Sequence, residues 1–88
     1  MKEEIKNKAK KRLTIIAGQI RGLIDMVEKE KYCIDIITQT SAVKKALSSV
    51  EDLILENHLS THVVDQMRYG KVEKAAKEIL KIYQLKRK

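Results

Sequence analysis

The spacing of apolar residues along the chain predicts three helices. In the first third, apolar residues recur every three or four positions and form one stripe on a helix that ends near Glu28: Leu13, Ile16, Ile20, Leu23 and Val27. A second stripe alternates intervals of four and three, a periodicity typical of coiled coils: Ile36, Thr40, Val43, Leu47, Val50 and Ile54. Beyond a break at Gly70, a short third helix is predicted by a last apolar set: Val72, Ala75, Ala76, Ile79 and Tyr83.

The middle helix is predicted to be long, because neither Gly nor Pro interrupts the chain from Lys31 to Arg68. The composition agrees with an all-α fold, since the chain has no Pro, Phe or Trp and only 3 Gly. Turn residues and large β-forming residues are too few to build a sheet. We therefore predict a single helical domain over residues 1–88, with residues 1–8 as a flexible basic tail.

A chain of 88 residues whose only aromatic residues are 3 tyrosines has a thin core. A domain of this size often requires a metal, a disulfide or a partner for stability. The single cysteine excludes a disulfide within the chain, which leaves a metal or oligomerisation. No segment has the ~20 consecutive apolar residues of a membrane span, and the N-terminus lacks the apolar core of a signal peptide. We therefore predict a cytoplasmic protein without membrane contact.

The net charge of +7 is concentrated at the two ends of the chain. Residues 1–12 carry six Lys/Arg against two Glu, residues 81–88 carry four Lys/Arg and no acid, and residues 13–80 carry nine basic against ten acidic side chains. Oligomerisation that gathers the basic ends on one face would attract a polyanion such as DNA. Basic tails that only maintain solubility are the alternative.

The helices do not match a helix-turn-helix motif, which needs a short exposed recognition helix. DNA binding would therefore use a surface formed by several chains. Aromatic residues do not alternate with the basic ones, which argues against stacking on single-stranded DNA. Duplex DNA, contacted through its phosphates and a few bases, is the expected partner.

Cys33, His58 and His62 are the candidate metal ligands, because they are the only thiol and the only imidazoles of the chain. His58 and His62 are four positions apart and share one face of a helix, where they can chelate one ion. Cys33 precedes His58 by 25 positions, which is ~37 Å along one continuous helix. One chain therefore cannot bring all three to one metal, whereas antiparallel pairing of two long helices places Cys33 of one chain beside both histidines of the other, in two equivalent sites.

One thiolate and two imidazoles favour Cu(I), which is soft and accepts three ligands. Ni(II) and Co(II) prefer further nitrogen or oxygen donors, and Zn(II) prefers a fourth ligand. A helical metal carrier or buffer and a metal-free architectural DNA-binding protein are the alternative functions. An enzyme is not expected, because no group of nucleophile, base and acid is present.

Several motifs in order resemble the CsoR/RcnR family of bacterial metal-responsive and small-molecule-responsive repressors. They are Arg12-Leu13, Gly18-Gln19-Ile20-Arg21-Gly22, Tyr32-Cys33-Ile34-Asp35-Ile36, Gln39-Thr40-Ser41-Ala42-Val43 and His58-Leu59. The resemblance covers about residues 9–83. It implies a three-helix protomer, an antiparallel four-helix-bundle dimer, pairing of dimers into a tetramer, and an inducer that lowers affinity for operator DNA.

The resemblance also implies roles for particular residues. Cys33 matches the family thiolate, His58 the family histidine, and His62 a third ligand position that is Cys in typical copper sensors and His in nickel/cobalt sensors and some copper sensors. The nickel/cobalt members use an N-terminal histidine as well, and this N-terminus has none. Two residues, Tyr32 and Glu78, match positions that link the histidine to the third helix. Four basic residues match DNA-contacting positions of the first two helices: Arg12, Arg21, Lys44 and Lys45.

Overall fold

The chain is helical throughout in the computed structural model, which describes residues 1–87; Lys88, one of the basic C-terminal residues, lies outside them. The elements are α1 (Glu3–Glu28), α2 (Cys33–His58), a π-helical turn (Leu59–Val63), α3 (Val64–Arg68) and α4 (Val72–Arg87). The backbone is right-handed helical at His58, Val63 and Val64, so α2, the π-helical turn and α3 are continuous. The described residues contain no strand. The all-α, three-helix prediction is confirmed.

The chain divides into two compact units, Met1–Leu55 and Glu56–Lys88. In the first unit, α1 packs against α2 through a small core in which four side chains are buried: Ala9, Ile16, Val43 and Val50. Four further side chains pack on it: Leu23, Ala46, Leu53 and Ile54. Beside this core, Arg12 Nη1 donates a hydrogen bond of 3.1 Å to Ser49 Oγ and ties the two helices together.

The apolar stripes are only partly buried within one protomer. Leu13 and Ile20 of the first stripe are each 43% exposed, and Leu47 of the second stripe is 40% exposed. Apolar surface of this extent on neighbouring helices is typical of a protein that associates with a partner. The described helices offer no candidate membrane span.

The first helix begins earlier than the sequence indicated. Residues 3–8, for which a flexible tail was predicted, belong to α1. Glu3 and Glu4 lie in its first turn, where acidic side chains interact favourably with the helix dipole. Glu4 also pairs with Lys8 at 3.3 Å, one helical turn later.

The second unit contains the C-terminal end of α2, the π-helical turn, α3 and α4. Ala75 of α4 is fully buried and Val63 of the π-helical turn is 4% exposed, so small apolar side chains fill this unit. Asn57 is also buried, at 5% exposure. The buried side chains described in this unit are thus few and small.

The α1–α2 connection and the α3–α4 connection use the same backbone turn. Glu30 (φ 51°) and Gly70 (φ 77°) both adopt left-handed backbone conformations. The next amide in each case bonds back five residues, from Lys31 N to Met26 O at 3.0 Å and from Lys71 N to Gln66 O at 2.6 Å, as in a Schellman motif. The break predicted at Gly70 is confirmed, whereas the equivalent turn at Glu30 lacks the glycine that usually marks it.

Candidate metal centre

The two histidines lie side by side, as their spacing predicts. The Nδ1 atoms of His58 and His62 are 3.2 Å apart, and the ring centroids are 5.0 Å apart with an interplanar angle of 45°. Two nitrogens at this separation fit one ion at ~2.0 Å from each, with an angle of roughly 105° between the two bonds. The pair therefore has the geometry of a two-nitrogen chelate.

The position of His62 is set by the π-helical turn, which sequence reasoning missed. Two hydroxyls from this turn donate to the backbone carbonyl of Asn57, Ser60 Oγ at 3.1 Å and Thr61 Oγ1 at 2.7 Å. Such side-chain bonds compete with the regular helical ladder and help to change its register. The adjacent Ser60 and Thr61 were the only sequence signal for this turn. Single π-helical turns occur frequently at functional sites.

Glu78 of α4 holds the other nitrogen of His58. His58 Nε2 lies 3.1 Å from Glu78 Oε2, and Gln66 Nε2 donates to the same oxygen at 3.4 Å. The hydrogen bond with His58 lowers the pKa of Glu78; burial opposes this effect, and Gln66 adds to it. Because an ionised carboxylate only accepts, the Nε2–H of His58 is the donor in this bond, and in that tautomer the Nδ1 that faces His62 Nδ1 would carry the lone pair that a metal needs.

Gln66 is a second residue that the sequence reasoning missed. It continues the spacing of four from His58 and His62, and its Oε1 is buried without a hydrogen-bond partner in the described structure. An open pocket of about 500 Å³ adjoins these side chains, lined by His58, His62, Asp65, Gln66, Tyr69, Lys71 and Lys74. The repeated interval of four was the signal that could have identified Gln66.

Cys33 is the first residue of α2 and His58 is the last. The cysteine is a free thiol and is exposed. Within residues 1–87, no three His, Cys, Asp or Glu side chains lie close enough together to hold a metal ion. As the length of the helix predicts, a single chain provides two histidine donors at one end of α2 and one thiol at the other. The residue types together form a donor set that suits a soft ion.

Tyr32 immediately precedes α2 and accepts the backbone N–H groups of Asp35 and Ile36 at its carbonyl, at 3.0 and 3.2 Å. Its side chain is 70% exposed. The predicted link between its hydroxyl and the histidine network therefore stays a prediction.

The four predicted DNA-contacting residues are all exposed but do not form one patch within a protomer. Arg12 and Arg21 are nine positions apart on α1, which places them on opposite sides of the helix, about 180° around its axis. Arg12 reaches α2, whereas the Arg21 guanidinium lies over Gly18, 3.6 Å from the position that a Cβ would occupy. Lys44 and Lys45 are neighbours on α2, about 100° apart. Their role in DNA binding stays a prediction.

Comparison with known proteins places this chain in a known class. Residues 5–84 match the model of the metal-sensitive transcriptional repressor family. The copper-sensing transcriptional repressor CsoR of Bacillus subtilis (strain 168) is 39% identical over 82 residues, which cover 93% of this chain and 77% of that protein. The copper-sensing transcriptional repressor RicR of Mycobacterium tuberculosis (strain ATCC 25618 / H37Rv) is 48% identical over 60 residues, 68% of this chain and 62% of that protein.

The fold is similar to a solved member. The crystal structure of the copper-sensing repressor CsoR with Cu(I) from Geobacillus thermodenitrificans NG80-2 matches with a TM-score of 0.88 and 41% identity, over 100% of this chain and 91% of that chain. The family match and the fold thus define a helical transcriptional repressor rather than an enzyme. The chain belongs to the metal-sensitive transcriptional repressor family, the CsoR/RcnR family that its motifs resemble, and DNA is its partner.

Proposed function

We propose that this protein represses transcription by binding operator DNA without metal and releases the DNA when Cu(I) binds at a site shared between two subunits. The observation that carries the proposal is the histidine pair, with its Nδ1 atoms 3.2 Å apart and the other nitrogen of His58 bonded to Glu78. Similar proteins named as copper sensors support the choice of metal. The repressor would act in the cytoplasm, where its DNA lies.

The site requires a second subunit, because Cys33 and His58 stand at opposite ends of a helix of 26 residues. Antiparallel pairing of two α2 helices brings Cys33 of the partner subunit to the histidine pair of the first. This pairing would also cover apolar side chains such as Leu47, which is 40% exposed in the protomer. Two hairpins paired in this way form a four-helix-bundle dimer, and two dimers form the tetramer expected of the family.

The donor set favours Cu(I) over the other metals considered. Thiolate ligands select soft ions, and three donors satisfy Cu(I) without an octahedral shell. Ni(II) or Co(II) would need further donors and Zn(II) a fourth, whereas Cys33, His58 and His62 supply three. Ni(II)- or Co(II)-responsive repression is the alternative within the family, and metal buffering is the alternative outside it.

Coupling between metal and DNA would pass through the hydrogen bond from His58 to Glu78, because it joins the histidine pair to α4. Ligation at Nδ1 makes the Nε2–H of a histidine a stronger donor, which tightens its bond to a carboxylate. Tyr32 of the partner subunit would add a further donor to this network. The metal lowers DNA affinity only if it binds the DNA-free conformation more tightly than the DNA-bound one.

Contacts with duplex phosphates and bases would come from Arg12, Arg21, Lys44 and Lys45 once the tetramer has gathered them on a common surface. Replacement of Arg12 by Ala should weaken operator binding. It should also reduce the slope of log K against log salt concentration by about one. Ser49→Ala is the matched control, since it removes the hydrogen bond to Arg12 and leaves the charge. Equal losses in both variants would assign Arg12 to helix packing and remove it from the DNA interface.

The decisive experiment is X-ray absorption at the metal edge of protein loaded with one equivalent of Cu(I) or of Ni(II), together with DNA release followed by fluorescence anisotropy. We expect three-coordinate Cu(I) with one sulfur and two nitrogens, and release by Cu(I) alone. Six-coordinate Ni(II) with sulfur and release by Ni(II) would support the nickel/cobalt alternative. A Cu(I) spectrum without sulfur would exclude Cys33 as a ligand, and tight Cu(I) binding without any duplex binding would support a buffer.

A further inference from the structure

We propose that three lysines of α4, here called the lysine ridge (Lys74, Lys77 and Lys81), form a contact surface for the phosphate backbone of duplex DNA. The proposal rests on the repressor function above and adds a surface outside the predicted DNA-contacting residues of α1 and α2. All three side chains are exposed.

The three lysines lie on one side of α4. Successive helix residues are about 100° apart, so spacings of three and four place Lys74, Lys77 and Lys81 within an arc of about 60°. Ala75, which is fully buried, lies about 100–160° away around the axis. The lysine ridge therefore lies on a different side of the helix from Ala75, and Glu78 stands at its edge, about 40° from Lys74.

Two acidic residues lie one helical turn from the lysine ridge, Glu73 before Lys77 and Glu78 after Lys74, but neither forms a salt bridge with it within residues 1–87. In the part of the chain that the structure describes, Lys8 and Lys29 form salt bridges with acids one turn away, but no lysine of the ridge forms one. Lys74 helps to lower the pKa of Glu78 through its charge, and the carboxylate itself is bonded to His58. Like charges three and four positions apart destabilise a helix, and the opposite-charge spacings Glu73–Lys77 and Lys74–Glu78 offset part of this cost.

Duplex DNA fits this surface in charge and in length. Lys74 and Lys81 are seven positions apart, or about 10 Å along the helix, which matches the axial rise of about three phosphates of one strand. Lysine is a flexible point charge that suits phosphates and carries little base specificity. The lysine ridge would thus supply DNA affinity that does not depend on base sequence, and the α1 and α2 residues would supply the remainder of the DNA affinity.

The position of the lysine ridge also gives the metal a route to the DNA. Glu78, the partner of His58, is the residue next to Lys77 on the same helix. Any displacement of Glu78 that moves α4 must move the lysine ridge as well. Metal binding at the histidine pair would therefore alter a DNA-contacting surface directly, without a relay through α1.

The test compares two charge-matched variants of the full chain in the metal-free state. Lys77→Gln with Lys81→Gln removes two ridge charges and spares Lys74, which adjoins the metal site. Lys29→Gln with Lys31→Gln removes two charges near the α1–α2 connection. Gln has a helix propensity close to that of Lys, and circular dichroism would check the fold. Binding to a labelled mixed-sequence duplex of about 40 base pairs is measured by anisotropy between about 50 and 200 mM salt.

We expect the ridge variant to bind the duplex at least about tenfold more weakly at low salt. The slope of log K against log salt concentration should also be smaller in magnitude by about one to two, because each phosphate contact contributes about 0.9 to it. The control should change either quantity far less. Equal losses in the two variants, or wild-type binding by the ridge variant, would overturn the proposal. Wild-type protein that binds no duplex, or is not released by Cu(I), would contradict the repressor function instead.

Discussion

The two ends of α2 differ in how completely one chain organises them. At the C-terminal end, Glu78 fixes the His58 ring and the π-helical turn places His62 beside it. At the N-terminal end, Cys33 is exposed beside apolar side chains that are exposed too, Ile34 at 56% and Ile37 at 63%. The histidine end is preorganised within the protomer, whereas the cysteine end has the bare apolar surroundings that another subunit would cover.

The largest effect is expected from removing the sulfur. Cys33→Ser should weaken Cu(I) binding by more than the 10–100-fold typical of losing an outer hydrogen-bond partner of a metal ligand, because the hydroxyl stays protonated and is a poor ligand for a soft ion. Competition with a Cu(I) chelator measures the affinity. Metal-free DNA binding is the internal control and should be unchanged, and a Cu(I) affinity equal to that of the wild type would show that the cysteine end contributes no ligand.

The next effect separates binding from coupling at the histidine end. Glu78→Ala should still bind Cu(I), because both histidines and the thiol remain, yet it should lose most of the metal-driven release of DNA. The matched control is Glu73→Ala, which removes an acid from the first turn of the same helix. The ratio of DNA affinities with and without Cu(I) is the readout, and a wild-type ratio in Glu78→Ala would disprove the role of this hydrogen bond.

Gln66 allows a finer test of the same end. Gln66→Leu removes the donor to Glu78 Oε2 and the buried, unpaired Oε1. At 3.4 Å, and with Glu78 also reached by solvent, this hydrogen bond is weak. We therefore expect a decrease of about three- to tenfold in the coupling ratio, with little change in Cu(I) affinity. Gln84→Leu on the exposed surface of α4 is the control, and equal decreases in both variants would reduce Gln66 to a packing residue.

The sequence predicted those features that depend on spacing along a helix. The apolar intervals located the three helices, and the interval of four placed His58 beside His62. Gly70 marked a turn because glycine is the residue type that most readily adopts a left-handed backbone. The π-helical turn, the bond from Gln66 to Glu78 and the turn at Glu30 were not predictable, because each depends on a local backbone register or on contacts between distant positions of the chain.

The smallest expected effect concerns the turn that leads to the cysteine end. Glu30 and Gly70 share a left-handed backbone, but only glycine adopts it without steric strain between Cβ and the carbonyl oxygen. Glu30→Gly should therefore stabilise the fold by about 0.5–1 kcal/mol after the added flexibility of the unfolded chain is subtracted. Thermal unfolding at fixed protein concentration should show a rise of a few degrees in Tm.

Gly70→Ala should lower Tm, the opposite of the change expected for Glu30→Gly, because φ 77° is unfavourable for a residue with a Cβ. Glu30→Ala is the control for loss of the charge, since it keeps the strained backbone without glycine and should not raise Tm as Glu30→Gly does. A lower Tm for Glu30→Gly would mean that the Glu30 side chain stabilises the turn that precedes Cys33. The cysteine end would then be partly organised by its own chain, and its contrast with the histidine end would be smaller than the exposed thiol indicates.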